Sequence, residues 1–196
     1  ENKGFHAEHN GEQVSLTVHQ SELSDSVHGN FTCNTCHMNK DGYPHEKADY
    51  GKDLAVKVSE NCQKCHTNVS DHYKNSSHWK ATKNGEADVT CVDCHGSHNI
   101  QKADFTKQEE VQMCADCHTG EVLEGYKENF HGRAVALGSE DAASCVDCHG
   151  GHTALGADAE ASPVSEENRP ETCAKCHKEA KANFAKGNEH LELSSD

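Results

Sequence analysis

The chain is poor in what ordinarily builds a protein interior. Aromatic residues make up 5% of its 196 positions, with a single Trp, and hydrophobic residues of all kinds reach only 33%. Mean hydropathy is −0.90. Side chains this polar bury too little apolar surface to offset the conformational entropy of ordering such a length of chain. Something other than side chains must supply the core. No run approaches the roughly 18 consecutive apolar residues of a membrane span, and Glu1-Asn2-Lys3-Gly4-Phe5 lacks the charged-then-apolar pattern of an export signal. The chain as it stands is expected to be soluble and already processed. Basic residues are scarce as well: 18 Lys and Arg stand against 33 Asp and Glu, a formal charge of −15. That balance excludes the Lys/Arg-rich face that nucleic acid or an anionic membrane surface requires.

Cysteine and histidine are what the sequence has in excess. All 12 Cys fall into six frames of one form, with none left over: Cys33-x-x-Cys36-His37, Cys62-x-x-Cys65-His66, Cys91-x-x-Cys94-His95, Cys114-x-x-Cys117-His118, Cys145-x-x-Cys148-His149 and Cys173-x-x-Cys176-His177. This is the c-type haem attachment motif, in which two thiols add to the porphyrin vinyls and the following His supplies an axial nitrogen to iron. Zinc ribbons, disulfide frameworks and thioredoxin-like pairs also use Cys pairs, but none requires His directly after the second Cys. With 17 His in the chain, six such placements by chance have odds of about four in ten million. The expected cofactor is six covalently attached haem c groups, which would themselves form the interior with polypeptide as a thin wrapping.

The motifs repeat. Cys91-Val92-Asp93-Cys94-His95-Gly96-Ser97-His98 differs from Cys145-Val146-Asp147-Cys148-His149-Gly150-Gly151-His152 only at Ser97 against Gly151. The period is about 55 residues with two haems in each unit, so the chain reads as one six-haem domain: half-repeat 26–61, repeat 62–113, repeat 114–172 and half-repeat 173–196.

Outside the motifs, His78, His131 and His190 follow the first motif His of successive units at similar intervals. His98 and His152 each stand three residues after a motif His, His28-Gly29 resembles His131-Gly132, and His45 is the loose counterpart of His98. Repetition in register makes His28, His45, His78, His98, His131, His152 and His190 the candidate distal ligands, beside the motif ligands His37, His66, His95, His118, His149 and His177. His6, His9, His19 and His72 stay open.

The expected architecture is haem-cored, mostly irregular coil with short α-helices and little or no β-sheet. Val122, Tyr126, Phe130 and Ala134 form a helical stripe over 121–137, and 171–193 reads as a terminal helix begun after Pro170. Val14, Leu16 and Val18 alternate as one short strand, while 138–143 and 156–168 read as loops.

Ligation decides function: a haem with two protein ligands passes electrons, whereas an open sixth position binds a substrate. Eleven histidines outside the motifs are enough for six bis-His irons, so the expectation is electron transfer and no enzyme activity. The alternatives are a monomeric periplasmic carrier and an oxyanion reductase with one open haem. On its six motifs and the weaker His-Gly and CHGxH elements, the chain from Val27 to His190 resembles the small multihaem c-type cytochromes of respiring bacteria and archaea. That resemblance implies an exported protein, extracellular, on the cell surface or periplasmic, with redox-partner cytochromes or an external electron acceptor. Haem count and length also resemble the filament-forming extracellular cytochromes, which implies a head-to-tail homopolymer with His190, His6, His9 or His19 completing a site in the next copy.

Overall fold

In a computed structural model, the described residues are 6–9, 12–15, 17–37, 52–179, 183–187 and 190. They fall into two compact units, Glu1–Cys62 with Thr90–Ala103, and Gln63–Val89 with Asp104–Asp196. Among the described residues the elements are short helices joined by turns, as the composition suggests, and the sheet is a single hairpin.

In the first unit, β1 (His6–His9) pairs antiparallel with β2 (Glu12–Ser15). Val14 lies in β2, but Val18 lies beyond it and is exposed, so the strand expected from Val14 to Val18 stops short. Next come α1 (Gln20–Ser24), α2 (Cys33–Cys36) and α3 (Lys52–Gln63), whose last residue opens the second unit, and later α6 (Cys91–His95). The turn after α1 is tied to the chain beyond α6, where the Val27 amide and the Ser26 hydroxyl donate to the Ile100 carbonyl at 2.8 and 3.1 Å.

The second unit holds α4 (Thr67–Tyr73), α5 (Ser77–Asn84), α7 (Lys107–Ala115), α8 (Glu121–Glu128), α9 (Phe130–Ala136), α10 (Cys145–His149), α11 (Arg169–Ala174) and a 3-10 turn at Phe184–Lys186. Neither of the two long helices expected from the sequence runs unbroken through the described residues. The stripe from Val122 to Ala134 is cut at Asn129, which ends α8 in an extended conformation (φ −76°, ψ 172°) and caps α9 by accepting the Gly132 amide on its side chain at 2.8 Å. Gly132 permits the sharp corner, since a Cβ there would overlap the Tyr126 carbonyl. The terminal helix begins around Pro170 as expected but stops at Ala174, where the attachment motif turns the chain. The segments 138–143 and 156–168 are turns and coil, as read.

Apolar burial by side chains is slight: among the described residues only Tyr126, Val135 and Ala185 are buried hydrophobics, while Ser26, Ser59, Ser70, Ser76, Thr90, Ser144, Ser162 and Ser165 are buried. Ser76, Thr90 and Ser144 are helix N-caps, where a side-chain oxygen can satisfy backbone groups that a short helix leaves unpaired, whereas Ser59 and Ser70 lie within α3 and α4 and bond the Cys91 amide and the Gln63 side chain.

Candidate metal centres

The spacing of each motif matches one helical turn, which brings residues i, i+3 and i+4 to one side. The amides of His37, His118 and His177 donate to the carbonyls of Cys33, Cys114 and Cys173 at 2.8, 2.8 and 2.9 Å. In α6 and α10 the whole motif is a short helix with a capping box, Thr90 with Asp93 and Ser144 with Asp147. The glycines that follow stop these helices with φ of +70° at Gly96 and +76° at Gly150, a conformation costly for other residues. None of the twelve Cys is paired in a disulfide; six are exposed and six half-buried. Among the described residues no group of three or more His, Cys, Asp or Glu converges as a zinc site would require.

Histidine pairs emerge instead, four of them among the described residues. His37 faces His98 with ring centres 6.0 Å apart, His78 faces His118 at 5.8 Å, His131 faces His177 at 6.0 Å, and His149 faces His190 at 6.0 Å. Each pair joins one motif histidine to one histidine from outside the motifs. An imidazole nitrogen bonds a first-row metal at about 2 Å and its ring centre lies roughly 1.1 Å beyond, so two imidazoles trans across iron have centres about 6.2 Å apart. The four separations fit a metal between the rings.

Local structure explains how the outer histidines reach these positions. His78 and His131 are both the second residue of a helix, α5 and α9, behind N-caps Ser76 and Asn129 whose side chains accept backbone amides at 3.1 and 2.8 Å. The Ser77 amide donates to the Ala154 carbonyl at 2.9 Å, which pins the start of α5. His190 donates from Nδ1 to the Val122 carbonyl at 2.8 Å, and its backbone packs so closely on α8 that a Cβ at Gly125 would overlap its carbonyl. His149 in turn donates from Nδ1 to the Leu155 carbonyl at 3.3 Å. With both Nδ1 atoms engaged, both rings of this pair keep Nε2 for a metal, the orienting arrangement common around ligating histidines.

Electrostatics favour the neutral, ligating form. Burial first, and the facing His98 second, hold His37 below the usual histidine value; burial and His118 do the same for His78. At His149 burial lowers the value and His190 and His118 add to it, outweighing the opposing Leu155 carbonyl bond.

The first cysteines of successive motifs also meet. Cys62 hydrogen-bonds Cys91, and Cys114 hydrogen-bonds Cys145. The bond from Cys62 leads in pushing Cys91 down to about 6, and the bond from Cys114 leads in lowering Cys145, while Cys62 and Cys114 are pushed up by the same bonds. Two attachment points are thus adjacent in each repeat. Around the joint of α7 and α10, Lys107 Nζ meets Asp147 Oδ2 at 2.8 Å and Glu110 Oε2 at 3.1 Å. Ser144 hydrogen-bonds Glu110 and, at 3.0 Å, Asp147. Burial works against the Lys107 ammonium, but the bonds to Asp147 and Glu110 prevail and hold it above its usual value.

A macrocycle fits these surroundings. Phe184 lies 5.0 Å from the His177 ring, and with Cys176, His177, Lys178 and Glu179 lines an open depression of ≈ 410 Å³. Phe130, beside His131, is 93% exposed, and Phe31, stacked 5.4 Å from His28, is half-exposed. Such apolar surface beside metal-ready imidazoles suits a porphyrin face. The motif cysteines would hold the group by thioether bonds and the paired histidines by axial bonds; the haem itself supplies a one-electron iron couple.

Of the remaining candidates, His28 is half-buried, His152 is exposed, and His45 lies outside the described residues. His19 caps α1 on the surface, its carbonyl accepting the Glu22 amide at 3.0 Å, and His72 is exposed in α4. His190, expected either as a distal ligand or as a donor to a neighbouring copy, faces His149 of its own chain. Sequence reasoning missed Tyr73 and Tyr126, whose hydroxyls donate to the carbonyls of Val89 and Ala143, two residues before Cys91 and Cys145. Each stands five residues before an outer histidine, His78 and His131, and that equal offset was the available signal.

These features support a multihaem c-type cytochrome carrying covalently bound haem c. The doubled CXXCH motif family matches residues 81–122, which contain two of the six frames. The chain is also similar to the multiheme cytochrome MtrA of Shewanella baltica (strain OS185), 27% identical over 117 residues that cover 56% of this chain and 34% of the relative. It therefore spans about a third of the length of that curated relative. No solved structure matches.

Proposed function

We propose that the protein conducts electrons outside the cytoplasm through six closely spaced c-type haems, each held by two histidines. The observation that carries this is the composition of the four described pairs, each made of one motif histidine and one outer histidine about 6 Å away. In this reading His98, His78, His131 and His190 are the distal ligands of the haems at Cys33–His37, Cys114–His118, Cys173–His177 and Cys145–His149. His28, His45 and His152 remain candidates for the haems at Cys62–His66 and Cys91–His95. The meetings of Cys62 with Cys91 and of Cys114 with Cys145 support short steps between neighbouring rings. Partners would be other redox proteins or an external acceptor, and covalent haem attachment, which takes place outside the cytoplasmic membrane, supports a location in the periplasm or beyond. Among the described residues no helix is long and apolar enough to cross a membrane.

The single chain is proposed as the conducting unit. A head-to-tail filament would draw on a ligand from a second copy, and His190, the leading donor for that role, faces a motif histidine of its own chain. Electron paramagnetic resonance of the intact purified protein, set against a haem count by mass, tests the proposal. Six haems with negligible high-spin ferric signal are expected. One high-spin haem per chain would overturn full bis-His ligation and favour a reductase with an open iron.

A further inference from the structure

The two repeats share the cap of their second motif and differ in the helix that leads to the first. In the first, Asp93 takes the Thr90 amide and hydroxyl at 2.6 and 2.7 Å, and Ala55 and Val58 stand in the helix leading to Cys62. In the second, Asp147 plays the part of Asp93 with Ser144, but the register positions of Ala55 and Val58 are filled by Lys107 and Glu110. Glu110 stands one turn before Cys114 on α7 and accepts a hydrogen bond from the hydroxyl of Ser144, the residue before Cys145. It therefore adds a negative charge where two macrocycles would be joined to the chain. Lys107, one turn earlier on α7, bridges Glu110 and Asp147 at 3.1 and 2.8 Å with only a fifth of its side chain exposed. Water screens an ammonium in that position less than one on an open surface.

We propose that Lys107 is a positioning residue that holds Glu110 and Asp147 at the edge of the haem pair attached at Cys114–His118 and Cys145–His149, and offsets their charge so that this pair stays reducible. Without the ammonium, two carboxylates face a centre that must accept an electron, and the reduced form is disfavoured. Glu110 and Lys107 act as a compensating pair added to the second repeat alone. The inference rests on the bis-His conduit reading.

The test uses the intact holoprotein in four forms: wild type, Lys107→Met, Lys107→Arg and Lys107→Met with Glu110→Gln. Each is titrated spectroelectrochemically with haem-resolved magnetic resonance. At a poise equal to the wild-type midpoint of this pair, the reduced-to-oxidised ratio should fall several-fold to about tenfold in Lys107→Met, a charge effect over roughly 10 Å in a partly screened site; tenfold corresponds to 59 mV for one electron. Lys107→Arg and the double variant should return near wild type. A ratio within twofold of wild type in Lys107→Met, or a fall that the double variant does not reverse, overturns the proposal while leaving six low-spin haems intact. Absence of covalent haem at these two motifs in wild type would overturn the conduit reading and this proposal together.

Discussion

Gly125→Ala isolates the seat of His190. Gly125 is buried within α8, and an added Cβ would overlap the His190 carbonyl and stand 2.8 Å from its Cα, whereas ordinary contacts begin near 3.4 Å. The His190 backbone would have to retreat by roughly 0.6 Å at Cα and further at the carbonyl, or the helix would strain by about 1–3 kcal/mol. The retreat also pulls Nδ1 away from the Val122 carbonyl, now at 2.8 Å. An axial bond of about 2 Å does not survive such a displacement of its ligand, so one haem in the chain should turn high-spin while all haems stay covalently bound. Helix propensity alone gives the opposite sign, since Gly→Ala inside a helix stabilises by about 1 kcal/mol. Gly187→Ala is the control, because a Cβ there meets nothing within 4 Å. Resonance spin counting, mass and thermal melting are compared for both variants. If Gly125→Ala matched Gly187→Ala in spin count and melting temperature, the placement of His190 against His149 would be wrong.

The other pairs and corners give their own tests. His131→Ala should convert one haem to high spin without loss of covalent haem, and an unchanged low-spin count would refute its pairing with His177. Gly132→Ala should cost about 1–3 kcal/mol by overlap with the Tyr126 carbonyl, and Asn129→Ala about 1 kcal/mol as a lost cap. Both are read from denaturant midpoints, and either variant proving more stable than wild type would contradict the corner between α8 and α9. Burial and, in the haem-loaded protein, an axial bond both keep His37, His78 and His149 unprotonated, so the folded chain binds fewer protons than the unfolded one as pH falls. Stability should be level above about pH 6.5 and decline below it; melting temperatures unchanged from about pH 7 to pH 5 would count against that sign.

The attachment sites were legible because covalent chemistry fixes residue type and spacing together. Register then separated His78, His98 and His131 from His19 and His72, which the structure leaves on the surface. What register could not tell is which ring faces which. His98 stands three residues from His95 yet meets His37, since the Ile100 carbonyl is held by Ser26 and Val27 and not by the motif beside it. The continuous helix through Val122 and Ala134 failed for a local reason: Asn129 followed by Gly132 is a cap and a close approach, and it prevails over an apolar period with little core to pack against. The capping boxes at Thr90-Cys91-Val92-Asp93 and Ser144-Cys145-Val146-Asp147 were in plain view as patterns.

The buried serines bear on how such a chain comes to be folded at all. Ser76, Ser144 and Ser162 are the largest side chains that are fully buried among the described residues. Polar exposure on unfolding lowers heat capacity while apolar exposure raises it, so polypeptide of this kind contributes almost nothing to a calorimetric transition. Cooperativity has to come from the bonds that close its loops onto the macrocycles. Each thioether installed during biogenesis removes conformations from the nascent chain, and each axial histidine then has a fixed target. For this protein the order of maturation and the order of folding are one sequence of events, and a haem-starved cell would hold a protease-sensitive coil.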